Sequence, residues 1–419
     1  MSYRQAALFM LATVLMVLAD STSPSARAAQ EQPLFSSPSL RIAADQASVP
    51  QPRAADPRYR RSRLAVVDTL LLVSARQQAS MLFNLFDDVT LEIAFDDIIS
   101  HGRQGHSFIG HVVGEPVSMV LLEQIDEVVV GAIQTPVGHY VVRFAGNGLH
   151  SIHEVRLVAF ARSDDFINVP SAAAAVPDAL GASKGKKKFN YLGLYTKAAL
   201  NAQGGKQAMK AAVRATVTRL NAGFKAQKVK HIVKFRGIKK VKGKDDGDLT
   251  NALNGVTDPT NGVYDEAGSL RNRKSADFVG IYIQGDGTGF GFCGLGWRPS
   301  AYSSTNERFA YHSVREDCNV RGGGNTGAHE TLHNMGGCHP NVSSDSCFGG
   351  ATPNGAGHVF LSVSANFHTI LGTGAVCARC VSLMTVSGPK RFGGAKVTDA
   401  DSKVADLVNK GAATYAAYR

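Results

Sequence analysis

His329-Glu330-Thr331-Leu332-His333-Asn334-Met335-Gly336-Gly337-Cys338-His339 decides how this chain is read. The pattern is H-E-x-x-H-x-x-G-x-x-H. Residues i and i+4 of a helix share a face, so His329 and His333 can aim two imidazoles at one point. Glu330, one step round the same turn, can reach a water held at that point without ligating anything itself. Glycine takes the left-handed conformation that ends helices, so Gly336 predicts the stop. The chain then doubles back and delivers His339. Three protein ligands plus one open position is the catalytic form of a zinc site, with one Zn²⁺ per chain. A bare H-E-x-x-H in a chain with 13 histidines could be helix-face histidines without metal. The glycine and third histidine at fixed offsets make that reading the weaker one. Glu330 is the last glutamate in the sequence, which excludes a glutamate ligand from a later helix.

The chain has 419 residues, 44% of them hydrophobic, which is room for two cores. Arg4 precedes an apolar run from Ala6 to Ala19, and Ala26-Arg27-Ala28 follows as a cleavage pattern. Residues 1–28 therefore read as a secretory signal, and the run is too short to span a membrane well. The expectation is a secreted protein, extracellular or periplasmic in transit, without membrane insertion. All six cysteines, Cys293, Cys318, Cys338, Cys347, Cys377 and Cys380, fall in the last third. In an exported protein an even count predicts disulfides, and Cys377–Cys380 is one expected pair.

Residues 29–63 are rich in Ser, Pro, Ala and Arg and are expected to form a flexible leader. Residues 64–167 carry short alternating apolar stretches, such as Val89–Phe95, Phe108–Val113, Val117–Leu122, Val128–Ile133 and Tyr140–Phe144. This predicts an antiparallel β domain. Its histidines, His101, His106, His111 and His139, lack ligand spacing. Residues 168–188 form a basic Ala/Pro linker ending in Lys184-Gly185-Lys186-Lys187-Lys188, suited to processing. Residues 189–419 read as strand (Phe189–Tyr195), helix (about Gly205–Ala226), strand (Val229–Phe235), strand (Ala276–Ile283), strand (Phe309–Val314), then the histidine helix, capped by Asn325 or Thr326. The helix places Met209, Val213, Thr216, Val217, Leu220 and Phe224 on one face. The fold class is α+β: an antiparallel β domain, then a mixed twisted sheet with helices.

This order and several local motifs resemble the metzincin clan of zinc endopeptidases. Asn84–Thr90 and Gly110–Gly114 are similar to the propeptide of bacterial reprolysin-like enzymes. Leu192–Thr196, Ala276–Val279 and the histidine motif are similar to their catalytic domain; the peptidyl-Asp metalloendopeptidases are the nearest group. The resemblance implies a secreted zinc endopeptidase with protein or peptide substrates, made as an inactive precursor whose propeptide is its inhibitor. It also implies a methionine turn under the metal. Leu371, in Thr369–Gly372, and Met384, in Ser382–Thr385, compete for that position, and Val386–Pro389 after Met384 favours Leu371. Neither has a tyrosine two residues on, so no fifth ligand is expected. Pro340 stands where reprolysins usually have aspartate. Calcium sites stay open.

The mechanism expected is hydrolysis by a zinc-activated water with Glu330 as general base. Substrate should pair with an edge strand formed by Phe309, Ala310, Tyr311, His312, Ser313 and Val314. An acidic residue after the cleaved bond, which the resemblance implies, would need a basic pocket; Arg379, Lys390 and Arg391 are candidates. The competing reading is a non-catalytic secreted binding protein on the same scaffold, against which Glu330 argues.

Charge is uneven. Residues 189–419 hold 28 Lys+Arg against 16 Asp+Glu, and residues 29–183 hold 11 against 17. The first region is therefore at +12 and the second at −6, which suggests electrostatic docking through Asp87, Asp88, Asp96 and Asp97. Nine basic residues between Lys225 and Lys244 form a solvated basic face or a contact for anionic surfaces. Sparse aromatic interleaving and export argue against nucleic acid.

Overall fold

Nine strands follow one another through the first third of the chain, most joined by tight turns. They are β1 (Phe35–Ser36), β2 (Tyr59–Val67), β3 (Met81–Phe86), β4 (Val89–Ser100), β5 (His106–Val112), β6 (Glu115–Ile125), β7 (Val128–Gln134), β8 (His139–Gly146) and β9 (Leu149–Val155). The computed structural model describes residues 33–38, 56–157, 165–170, 185–285, 292–340, 355–361, 366–372 and 380–419. The signal segment, most of the leader and most of the linker lie outside them. The strands make one antiparallel sheet in the order β1-β2-β9-β8-β7-β6-β5-β4-β3. Asn147 and Gly148 take φ of 50° and 73° between β8 and β9, the left-handed pair that matches a two-residue hairpin to strand twist. A short helix α1 (Thr69–Ser74) is capped by Asp68, whose side chain accepts from Leu71 N at 2.8 Å.

The leader was expected to be unstructured, but Phe35–Ser36 pairs with Val66–Val67, and Tyr59–Ser62 belongs to β2. Phe35 is the reason: its ring packs edge-on to Phe83 in the core, at 5.7 Å between centroids. Both faces of the sheet are buried in its middle. In β6, Val120 and Leu122 face a core with Phe83, Phe108 and Ile133, while Met119 and Leu121 face the other way.

The second sheet has six strands: β10 (Phe166–Asn168), β11 (Lys188–Tyr195), β12 (Ile232–Lys240), β13 (Phe278–Ile283), β14 (Gly294–Arg298) and β15 (Tyr311–Arg315). Their order is β10-β14-β15-β13-β11-β12. All pairs are parallel except β14 with β15. The expected strand at Val229 begins three residues later, at Ile232, and β10 and β14 were not foreseen. The helices are α2 (Lys197–Ala202), α3 (Lys206–Ala226), α4 (Leu249–Thr257), α5 (Ala267–Lys274), α6 (Glu316–Arg321), α7 (Asn325–Asn334) and α8 (Val404–Tyr415). Phe189 and Tyr191 of β11 and Phe278 and Tyr282 of β13 pack with α3, α7 and α8. The alternate residues Leu192, Leu194, Val279 and Ile281 pack with α4 and α5 on the opposite face. The exposed side of β12 carries Lys234, Arg236, Lys239 and Lys240, and charge there blunts an open sheet edge.

Helix α3 joins the two sheets within one compact unit, Pro33–Arg419. Its expected apolar face is buried as predicted, with Met209, Val213, Val217, Leu220 and Phe224 in the core of the second sheet. The opposite face is buried too. Ala208, Ala211, Ala212 and Ala215 form a smooth surface against the nine-stranded sheet. Arg214 sits among them, its Nε 2.5 Å from Glu123 Oε2. Around this junction Arg143 Nη2 meets Glu316 Oε2 at 3.0 Å, Arg58 meets Asp317, and Lys225 Nζ meets Asp97 at 2.7 Å. Docking is thus less one-sided than the charge totals imply. Of the four aspartates expected there, Asp97 contributes, Asp88 and Asp96 bond within their own sheet to Arg61 and His111, and Asp87 is exposed in a turn.

Candidate metal centre

Helix α7 begins after Gly324, not after a capping Asn325 or Thr326 side chain. Gly324 has φ 78°, and a Cβ there would lie 2.4 Å from the Ala215 backbone, so only glycine lets the helix start this close to α3. Asn319 Oδ1 takes over part of the capping by accepting from Gly327 N at 2.9 Å. At the other end Gly336 turns with φ 88°, as the motif predicted, and Gly337 N bonds back to Leu332 O at 2.9 Å. Tyr415 of α8 donates to Met335 O at 2.6 Å and fixes this corner.

The turn brings all three histidines together. The Nε2 atoms of His329 and His333 are 3.0 Å apart, those of His329 and His339 3.1 Å, and those of His333 and His339 3.2 Å. Three nitrogens on one tetrahedral zinc at about 2.05 Å would lie roughly 3.3 Å apart. The opposite ring nitrogens are held. His329 Nδ1 donates to Ile370 O at 2.9 Å, and His333 Nδ1 donates to Gly337 O at 2.9 Å. Each of these bonds leaves the Nε2 lone pair free to face the common centre. Burial holds the His333 pKa down to about 3, so this imidazole is neutral and able to ligate at neutral pH.

A fourth donor comes from a distant part of the chain. Asp165 Oδ1 is 2.7 Å from His339 Nε2 and 3.2 Å from His333 Nε2, and Oδ2 is 3.3 Å from His329 Nε2. Asp165, His329, His333 and His339 together form a group able to hold a metal. Burial works against the Asp165 charge, but the three histidines hold its pKa well below the usual carboxylate range. Its arrival could not be read from sequence: it lies 164 positions before His329, and no spacing rule links them.

Glu330 is buried beside this group, and its Oε2 has no hydrogen-bond partner among the described residues. A buried, unpartnered carboxylate oxygen is costly unless a water or ion completes the site. Burial, and then the nearby Asp165 charge, push its pKa well up. Glu330 fits only because β14 is Gly-Leu-Gly at this point. A Cβ on Gly294 would lie 2.4 Å from Glu330 Oε1, and one on Gly296 3.1 Å from Oε2. Three imidazoles and a carboxylate, with an unsatisfied acid beside them, suit a divalent zinc-type ion.

The expected edge strand is corrected. Phe309 ends a 3-10 turn (Ser304–Phe309), Ala310 is a connector, and Tyr311, His312, Ser313 and Val314 lie in β15. That strand is flanked by β13 and β14, so both its backbone edges are taken. The strand between it and β10 is β14, whose two glycines hid its strand character. His312 instead supports the helix from below. Its ring pairs with Asn334 Oδ1 at 2.8 Å through Nδ1 and with Tyr191 at 2.9 Å through Nε2. Asn334 also donates to Trp297 O and Tyr311 O, both at 2.9 Å, and so fastens α7 to β14 and β15.

Of the two methionine-turn candidates, Leu371 is the one near the histidines. It follows Ile370, the acceptor of His329, and its side chain lies against Gly337. Met384 packs with Ile109, Met119 and Leu121 of the nine-stranded sheet, away from the histidines. Arg379 lies outside the described residues. Lys390 and Arg391 are exposed, with Lys390 next to Gln227 at the end of α3 and Arg391 bonded to Gly394 O, so neither is placed in the cleft. Cys293, at the start of β14, is bridged to Cys318 of α6. Cys338 and Cys380 are disulfide-bonded as well, while Cys347 and Cys377 lie outside the described residues.

Residues 210–340, from α3 to just past His339, match the family model of M12B reprolysin-like metallopeptidases. Among curated proteins none matches the sequence. Similar solved structures include a chaperone–substrate complex, with 18% identity and a TM-score of 0.41 over 56% of this chain and 35% of that one. Metalloproteinase-II from Bacteroides fragilis is 11% identical, with a TM-score of 0.39 over 68% of this chain and 88% of that one. The present chain thus spans about a third of the first. Both scores fall below 0.5, so the assignment rests on the sequence match and the motif inside it. On those grounds residues 210–340 are similar to the reprolysin-like metallopeptidases, whose motif they carry.

Proposed function

We propose that the chain is the precursor of a secreted zinc endopeptidase. The convergence of His329, His333 and His339 Nε2 around one point, with the Glu330 carboxylate beside it, carries this reading. A zinc ion held there supplies Lewis acidity, which acidifies water and polarises a peptide carbonyl. The protein does the rest. Glu330 Oε2, which has no hydrogen-bond partner among the described residues, takes a proton from the attacking water and returns it to the leaving amine. His329 and His333 are locked by their bonds to Ile370 O and Gly337 O, so no reorientation is needed. The substrate backbone pairs with β14, the strand next to the histidines. Residues 1–28 direct export, and the disulfides suit an oxidising compartment. The nine-stranded sheet acts as the propeptide, and cutting within 168–188 separates it from the enzyme.

The test is zinc content and casein hydrolysis of the processed protein, with Glu330→Gln as control. The variant should keep its zinc and lose about 10²–10⁴-fold in rate, the usual worth of a general base. Near-normal turnover in Glu330→Gln would overturn the mechanism, and zinc binding without any hydrolysis by the parent protein would favour a binding function.

A further inference from the structure

Resting on that reading, we infer that Asp165 is the fourth ligand of the metal and that residues 165–169 are a strap seated in the cleft. The segment occupies the position that the catalytic form of the site must leave open. Its carboxylate is shared among all three histidines, and an Asp oxygen is an ordinary zinc donor.

The seating involves more than one side chain. Phe166, Ile167 and Asn168 pair with Gly296, Trp297 and Arg298 of β14, and the two strands run parallel. Gly296 N donates to Asp165 O at 3.1 Å, and Val169 N donates to Arg298 O at 3.0 Å. Arg298 closes over the strap. Its Nε and Nη2 donate to Asn168 Oδ1 at 3.0 and 2.8 Å, and its guanidinium lies 4.1 Å from the Phe166 ring centre. The same ring meets His333 at 5.0 Å and His339 at 5.5 Å between centroids. Ile167 and Val169 join Leu295 and Trp297 in the core beneath.

This arrangement explains how a peptide can lie in a peptidase cleft uncut. The Asp165 carbonyl is engaged by Gly296 N and is turned to the strand, while the side chain faces the histidines. A side-chain carboxylate, with no peptide bond to break, stands where a scissile carbonyl would. The strap's place in the chain completes the device. It lies just before the basic stretch Lys184–Lys188, and β11 begins at Lys188. A cut in that stretch leaves Asp165 on the released fragment, where only the local bonds to β14 and the docking at α3 hold it. The N-terminal region contains no cysteine, so no thiolate from it could take this place.

The experiment uses the uncut full chain loaded with cobalt(II) in place of zinc. Visible absorption follows both the ligand set and the binding of added acetohydroxamate, independent of turnover. Asp165→Ala should keep one metal per chain, change the cobalt bands, and bind acetohydroxamate at least ~100-fold more tightly than the parent, as expected if the strap fills the site 99% of the time. Asn168→Ala keeps the carboxylate but loosens the clamp, and should give an intermediate affinity with bands close to the parent's. Asp88→Ala, whose partner Arg61 lies in the same sheet, should change neither. Identical bands and affinity in Asp165→Ala, with thermal unfolding confirming a folded chain, would overturn the proposal. A parent chain that binds no metal with its histidines intact would overturn the enzyme reading and this proposal together. Metal binding with unchanged bands would remove this proposal alone.

Discussion

Replacing Arg214 by methionine tests how the nine-stranded sheet is held to helix α3. Arg214 lies on α3 and Glu123 on β6, and their side chains are 2% and 0% exposed. The pair is reinforced on both sides. Arg214 donates to Gln104 O at 2.6 Å, Gln124 O at 2.8 Å and His106 O at 3.3 Å. Glu123 accepts from Thr218 Oγ1 at 2.6 Å and Ser107 Oγ at 2.9 Å. Methionine fills the space but leaves the Glu123 carboxylate buried with two hydroxyls and no cation. Breaking a buried pair from one side costs about 3–5 kcal/mol. Burial already pushes the Glu123 pKa up against the pull of Arg214, so without Arg214 the acid should take a proton, and the cost should shrink toward pH 5. Adding Glu123→Gln to Arg214→Met removes the stranded charge, and the double variant should recover all but about 1–2 kcal/mol. Chemical denaturation of the uncut chain reads this out. Trp297, the single tryptophan, reports β14, and circular dichroism reports both sheets. A loss below about 1 kcal/mol in Arg214→Met, or a double variant no better than the single, would refute the claim that this pair secures the junction.

Two further outcomes follow from the same contacts. Gly294→Ala would put a methyl group 2.4 Å from Glu330 Oε1, so on the proposed mechanism the protein cut within 168–188 should lose at least about 10²-fold in kcat with metal content unchanged; an active Gly294→Ala would show that Glu330 need not sit where it does. Acid should loosen the nine-stranded sheet. Burial holds the pKa of His139 and His150 down to about 4 and that of His153 to about 3, against an ordinary 6.5. Below pH 6.5 the unfolded chain takes up protons that the folded chain refuses, so stability falls as pH drops toward 4, by up to about 3 kcal/mol per histidine. Glu316, raised to about 7, and Asp277, raised to about 6, act oppositely, losing stability as pH rises through those values, but both lie outside the nine-stranded sheet. Denaturation midpoints at pH 7, 5.5 and 4.5 that stay flat or rise on acidification would contradict this.

Local chemistry was legible in the sequence wherever spacing alone fixes geometry. His329 and His333 are one helical turn apart whatever surrounds them, and Gly336 must turn the chain because no side chain obstructs its left-handed φ. The alternating stretches became strands because a period of two leaves one face to bury, and α3 showed its face at a period near 3.6. The same rules misplaced the cleft edge. Tyr311–Val314 reads as a strand because it is buried between two others, whereas Gly294–Arg298 needs glycine to leave room for Glu330 and so resembles a loop.

What only the tertiary structure decided are the relations between distant segments. The alanines of α3 gave no sign that a second sheet would cover them, and the −6 and +12 totals did not show that Arg143 and Arg58 would reach from the acidic region to Glu316 and Asp317. Asp165 is the sharpest case. Nothing near it in sequence distinguishes it from Asp164, and its partners lie more than 160 residues away. A motif is read from spacing along the chain, and that spacing constrains geometry only within an element or a turn. Beyond that length, the packing of strands and helices chooses which carboxylate meets which histidine.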